Sequence, residues 1–202
     1  MINTITKTAT KSVTNKIIAI NLAVFILTSI IPGLTGALAL YNPFSPEFNV
    51  WQIITHMFTH SGLMHIFFNM LVLWQFGNIV ENEMNRYFKY ESKWLYTKTY
   101  IGFGLVAALL HIIMLGGASG AMVGASGAIA GVFAVYCLLY PQEKVYLYFL
   151  LPIKCIYMLY AYVGIELFCA LFSHDNVGHW AHLGGILAGF LFWVFKFKKL
   201  QF

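Results

Sequence analysis

The sequence predicts an all-α, polytopic membrane protein with six spanning helices and both termini in the cytoplasm. Three observations predict it. First, 60% of the 202 residues are hydrophobic and only 9% are charged, with mean hydropathy +0.75, whereas soluble domains are roughly 45–50% apolar and 25% charged. Second, apolar segments fall at about 17–40, 63–80, 95–115, 123–140, 145–172 and 177–195. Each is long enough to cross a hydrocarbon core about 30 Å thick. Third, the charges follow the positive-inside rule. With the N-terminus inside, the cytoplasmic segments hold Lys7, Lys11 and Lys16, then Arg86, Lys89, Lys93 and Lys98, then Lys144, then Lys196, Lys198 and Lys199. Those are eleven of the twelve basic residues; the twelfth, Lys154, falls inside the expected fifth span.

The chain therefore divides into a cytoplasmic segment 1–16, a six-helix membrane domain 17–195 and a short basic tail 196–202. Residues 1–16 are polar, and the apolar run after them lacks a small-residue cleavage site, so it reads as a retained first span rather than a removed signal. Segment 41–62 is outward-facing and half apolar, with Pro43, Pro46, Trp51 and Phe58. It is expected to rest in the membrane interface, where Trp and Tyr prefer to sit. The stretch Asn78 to Thr97 reads as a loose polar link between the second and third helices.

Several function classes are excluded. The net charge of +5 is spread over loops and ends with no basic, aromatic-interleaved face, so the bilayer and not nucleic acid is the expected partner. Cys137, Cys155 and Cys169 lie in apolar runs without ligand spacing, which argues against a disulfide framework or zinc site and for small core side chains. His56 and His60 could join His65 as a metal or haem set, but carboxylates and further ligands are missing beside them. No metal and no cofactor is expected. Nothing in the sequence sets an oligomeric state.

Polar groups at membrane depth are costly, so each one inside a span is a candidate for function. His65 and Asn69 are spaced i, i+4 and share one helix face; alone, such a pair reads as a clamp between helices. Gly124-Ala125-Ser126-Gly127 opens the fourth helix, and Ala118-Ser119-Gly120 echoes it. Ala181-His182-Leu183-Gly184-Gly185 opens the sixth, where Ala181, Gly185 and Gly189 form a flat seam for close helix contact. Gly131 continues such a face on the fourth helix.

Topology links these clusters. Helices two, four and six all run inward from the outer face, so a rise of 1.5 Å per residue puts His65, Ser126 and His182 at one depth in the outer leaflet. A neutral imidazole can take the proton of a serine hydroxyl and make it a nucleophile. Donors aimed at the resulting oxyanion, here the Asn69 amide, the His65 imidazole and the Ser126 backbone N–H, could each contribute about 3–4 kcal/mol. No acid is expected to complete a triad: Asp175 lies in an outer loop and Glu166 deep in helix five. The reading is a Ser-His dyad whose tautomer is set by unidentified groups. His111, His174 and His179 read as interfacial or packing residues. Glu166 and Lys154 are too far apart on one helix to pair directly, and neither is assigned chemistry.

From Trp51 to Gly189 the sequence resembles the rhomboid family of intramembrane proteases. The resemblance rests on Trp51-Gln52, on His60-Ser61-Gly62-Leu63-Met64-His65 running into Phe68-Asn69-Met70, on Val123-Gly124-Ala125-Ser126-Gly127-Ala128, and on Ala181-His182-Leu183-Gly184-Gly185 with Gly189. It implies a six-helix rhomboid-like bundle in which Ser126 and His182 form a catalytic dyad. It further implies that His65 and Asn69 support the oxyanion, and that Gly124 and Gly127 lie at the substrate site. It selects Ser126 over Ser119, because only Ser126 directly opens an apolar helix. The expected substrates are other transmembrane proteins, cut near their outer ends, and the compact size points to a bacterial cytoplasmic membrane. A catalytically silent relative that binds membrane clients is the alternative. One departure stands out: four residues after the serine, where the family has a Tyr or Phe packing on the histidine, this chain has Ala130. That substitution is expected to leave His182 less constrained and to enlarge the nearby pocket.

Overall fold

A computed structural model describes residues 12–89, 92–115, 120–147, 151–173, 175 and 177–198. Lys7, Lys11, Ser119, His174 and Lys199 lie outside the described residues.

The first helix, α1, runs Val13–Ile30, starting earlier and ending sooner than its apolar run suggests. Its N-terminus is anchored from a distance. Glu81 accepts hydrogen bonds from the backbone N–H of Val13 (2.7 Å) and Thr14 (2.9 Å) and from the Ser12 hydroxyl (2.8 Å). A carboxylate there satisfies N–H groups that lack intrahelical acceptors and meets the positive end of the helix dipole. A short helix α2, Leu34–Leu38, takes up the remainder of the predicted first span.

Segment 41–62 forms one turn of helix α3, Gln52–Thr55, followed by a 3-10 turn at His56–Phe58. The Trp51 indole donates to the Ala37 carbonyl at 3.0 Å. Phe44, Val50 and Trp51 stay exposed, as suits a segment lying at a membrane surface. Thr59 and His60 turn inward and are buried.

The second span, α4, covers Leu63–Phe88, with a π-helical turn at Leu73–Gly77. The structure thus corrects the loose-link expectation, since the chain stays helical through Phe88 and α5, Ser92–Leu115, begins four residues later. The fourth helix, α6, is only Ser126–Leu139, and every residue from Gly127 to Cys137 is buried. Its fourteen residues rise about 21 Å, less than a hydrocarbon core. Because Gly127 to Cys137 are covered by neighbouring protein, a helix shorter than the core can sit within the bundle without exposing its backbone to lipid.

The predicted fifth span divides. A hairpin, β1 Lys144–Leu147 and β2 Leu151–Lys154, precedes helix α7, Cys155–Phe172. Lys154 therefore lies outside the span. It sits opposite Lys144 in the ladder, and its ammonium donates to Gln142 at 2.8 Å. Both lysines belong to one end of the molecule, which removes the single exception to the charge rule. The last helix, α8, runs His179–Phe197 and ends in a π turn.

Among the described residues five helices, α1, α4, α5, α7 and α8, are long and apolar enough to cross a membrane, and α6 is a shorter apolar helix packed among them. Large apolar side chains on α1 (Ile20, Ile26, Ile30) and α7 (Tyr160, Ile165, Phe168) point away from the core, the inverse of a soluble bundle. The fold is that of an all-α integral membrane protein. The three cysteines are free thiols, two of them buried.

Candidate active site

Ser126 is the first residue of α6, with Ala125 as its N-cap. The approach to it is extended and fixed. Met122 pairs with Leu40 through two backbone hydrogen bonds of 2.8 and 2.9 Å, and the Gly124 N–H donates to the His56 carbonyl at 2.9 Å. Gly124 has φ +124°, and a Cβ there would lie 2.9 Å from the His65 ring. Glycine is thus demanded twice, by backbone conformation and by the imidazole beside it. The first N–H groups of α6 lack acceptors within the helix, so the backbone beside the Ser126 hydroxyl presents donors.

His182 lies in the first turn of α8. Close crossing of α6 and α8 brings it to the serine, and glycine makes the crossing possible. A Cβ on Gly185 would run into the Gly127 carbonyl oxygen, and one on Gly189 into that of Gly131. The predicted small-residue seam is therefore a backbone-to-backbone contact. Across it, the Ser126 Oγ stands 2.8 Å from His182 Nε2.

His65 lies in the first turn of α4. Its Nδ1 accepts from the Ser61 backbone N–H at 3.4 Å and lies 2.9 Å from the Ser61 hydroxyl. This places the ring proton on Nε2, the edge nearest Gly124. Asn69 donates one amide hydrogen to the His65 carbonyl at 2.8 Å, leaving the other to donate elsewhere. Ser126, His182, His65, Asn69, Gly124 and Gly127 all line one cavity of about 820 Å³, a volume in the range of ligand pockets. The sequence-predicted residues are brought together without exception.

Three expectations need correction. Glu166 has a partner: its Oε1 accepts from His182 Nδ1 at 2.9 Å, on the ring edge opposite the serine. His179 is not a mere packing residue, because its Nδ1 contacts Glu166 Oε2 at 2.6 Å and its Nε2 contacts Asp175 Oδ1 at 3.0 Å. Ala130 does not leave His182 unconstrained. The Tyr162 ring lies 6.2 Å from the imidazole, centroid to centroid, so an aromatic from α7 occupies the histidine's flank. Tyr162 and Glu166 are spaced i, i+4 and present one face of α7 to His182.

Glu166, His179 and His182 also form the one group of three potential metal ligands among the described residues. Their geometry is that of direct hydrogen bonds. Ligands sharing an ion at about 2.0–2.1 Å each, tetrahedrally arranged, stand more than 3 Å apart, farther than the 2.6 and 2.9 Å found. His56, His60 and His65 are not a group whose ring nitrogens lie close enough to share one ion among the described residues, and the His56 ring is tied to the Gln52 carbonyl at 2.7 Å.

At the outer end of this network, Asp175 is exposed. Its carboxyl is held below the usual range, chiefly by the Val177 backbone N–H and then by the Ser173 hydroxyl.

Known proteins resemble the chain. A family model described as the Rhomboid domain matches residues 47–199. Curated relatives named rhomboid protease GlpG, from Salmonella newport (strain SL254), Salmonella heidelberg (strain SL476) and Salmonella agona (strain SL483), are 43% identical over 63 residues. That stretch is 30% of this chain and 23% of each relative, so the match spans about a quarter of their length. Because the family match covers most of the chain and contains Ser126, His182, His65 and Asn69, this integral membrane protein belongs to the rhomboid family.

Proposed function

We propose that this protein is an intramembrane serine endopeptidase of a bacterial cytoplasmic membrane, with Ser126 as nucleophile, His182 as base and transmembrane proteins as substrates. The observation that carries the reading is the 2.8 Å contact between the Ser126 hydroxyl and His182 Nε2, within the reach required for general-base activation. The relatives' printed name supports it at the level of the reaction.

The chemistry follows from the geometry. His182 Nε2 takes the hydroxyl proton as Ser126 Oγ bonds to the scissile carbonyl carbon, and the carbonyl oxygen becomes an oxyanion. The Ser126 N–H, the His65 Nε2–H and the second Asn69 amide hydrogen are the donors available to it. The imidazolium returns its proton to the leaving amine, the peptide bond breaks, and water hydrolyses the acyl-serine by the same base. A substrate helix must unwind locally, since a helical peptide hides its carbonyl in intrahelical hydrogen bonds. Small or helix-breaking residues near a substrate's outer end are therefore the favoured cleavage region. The buried start of α6 supports a cut below the membrane surface, in a cavity that already holds polar groups.

The deciding experiment is cleavage of a panel of single-span substrates by protein reconstituted in liposomes. Wild type and Ser119→Ala should cleave, while Ser126→Ala and His182→Ala should lose at least a thousandfold in rate. Equal cleavage by Ser126→Ala would remove the serine from the mechanism. The catalytically silent reading is the less favoured one, because Ser126 and His182 are both present and within hydrogen-bond distance.

A further inference from the structure

We propose that Glu166 is a positioning residue for His182, making the site a Ser126–His182–Glu166 triad whose carboxylate comes from the neighbouring helix α7. The inference rests on the protease reading above and adds to it the group that holds the base. A Ser-His dyad leaves two things open: which imidazole nitrogen carries the proton, and what opposes the charge once the ring takes a second one. The Glu166 carboxylate answers both. Oε1 accepts from His182 Nδ1 at 2.9 Å, so the proton sits on Nδ1 and the Nε2 lone pair faces Ser126 at 2.8 Å. When Nε2 accepts the serine proton, the carboxylate lies in hydrogen-bond contact with the imidazolium. Glu166 keeps its charge throughout, and no proton moves to it.

A second contact fixes the carboxylate. Its other oxygen is 2.6 Å from His179 Nδ1, and His179 Nε2 reaches Asp175 at 3.0 Å. Both oxygens of a buried carboxylate are thus engaged by histidines one turn apart on α8, and Glu166 cannot rotate without breaking one contact. Tyr162, one turn earlier on α7, flanks the same imidazole. Together they supply from α7 the orientation that position 130, an alanine, does not supply from α6. An isolated carboxylate at this depth would be costly, and the basic side chains it touches among the described residues are the two histidines. A clamp holding α7 to α8 is the competing explanation, and it predicts loss of stability instead of loss of rate.

The test is the labelling of detergent-solubilised full chain by a fluorophosphonate probe, resolved into its maximal rate and half-saturating concentration, beside the thermal midpoint of each variant. Wild type is expected to label and Ser126→Ala not. Glu166→Gln, isosteric but uncharged, should lower the maximal rate about a hundredfold or more. Its half-saturating concentration should stay within twofold and its midpoint within a few degrees. Glu166→Asp should recover at least tenfold of the loss, because it restores the charge. A Gln variant within threefold of wild-type rate, a Gln variant that no longer folds, or an Asp variant no faster than Gln would each overturn the positioning role while leaving Ser126 and His182 in place. Absence of Ser126-dependent labelling in wild type would overturn the protease reading, and this proposal with it.

Discussion

His65 and Asn69 show how little of a donor's role lies in its identity. His65 is a donor toward the cavity only because Ser61 occupies its other nitrogen, and Asn69 retains one amide hydrogen because the other is bound to the His65 carbonyl. Each should therefore act on the rate and not on substrate affinity. Asn69→Ala and His65→Ala are expected to lower kcat about ten- to a thousandfold with KM within threefold, read from initial rates on the cleaved single-span substrate. Rates unchanged in both variants would leave the oxyanion to the backbone of α6 alone. His56 and His60 act on stability instead. Burial pushes both down to about 4, below the 6.5 of the exposed side chain. Between pH 6.5 and 4 the unfolded chain then binds more protons than the folded one, so stability is full above the window and is lost as pH falls through it. The slope approaches roughly 2.7 kcal/mol per pH unit if both titrate together. The thermal midpoint in detergent should fall steeply below pH 6, and His60→Leu should flatten that fall; a midpoint independent of pH would contradict the burial of these rings.

At the scale of the element, the contact of α6 with α8 controls whether a site exists. Gly185 meets the Gly127 carbonyl so closely that a methyl group has no room, and the obstacle is backbone, which cannot swing aside. Gly185→Ala is expected to separate the two helices, lengthen the serine–histidine distance and cost about 1–3 kcal/mol or more. Gly102 on α5 has open space where a Cβ would go, so Gly102→Ala should be neutral or mildly stabilising, as glycine is a poor helix former. Thermal midpoints and Ser126 labelling of the two variants check this; a well-folded, active Gly185→Ala would show that the seam is not load-sharing. The small-residue spacing of this seam was legible in the sequence, because a four-residue repeat on a helix is a one-dimensional pattern. The identity of His182's flanking groups was not. Tyr162 and Glu166 belong to another helix, and nothing local to the serine motif indicates which side of α7 faces inward. Depth arithmetic pointed the wrong way: it set Glu166 deep in its helix and out of reach, whereas Glu166 lies six residues, about 9 Å, from the outer end of α7, and His182 three residues into α8 from the same side.

For the whole molecule, the charge pattern implies an orientation that can be measured directly. Lys144 and Lys154 share one hairpin, while Phe44 is 95% exposed in the segment before α3. In a variant lacking Cys137, Cys155 and Cys169, a membrane-impermeant maleimide should label Phe44→Cys in intact cells. Lys144→Cys should label only after permeabilisation; the opposite pattern would invert the topology. The sequence by itself determined the membrane class, the apolar segments, the clustering of the positive charges between them, and Ser126, His182 and His65 at a common depth. Composition, span length and helical period are properties of short stretches, and they survive any arrangement of the helices. The tertiary structure alone decided that a carboxylate from α7 meets the histidine of α8 on the edge opposite the serine. That contact depends on how two helices are rotated about their own axes, which is set by the packing of all their neighbours at once and is written in no single segment.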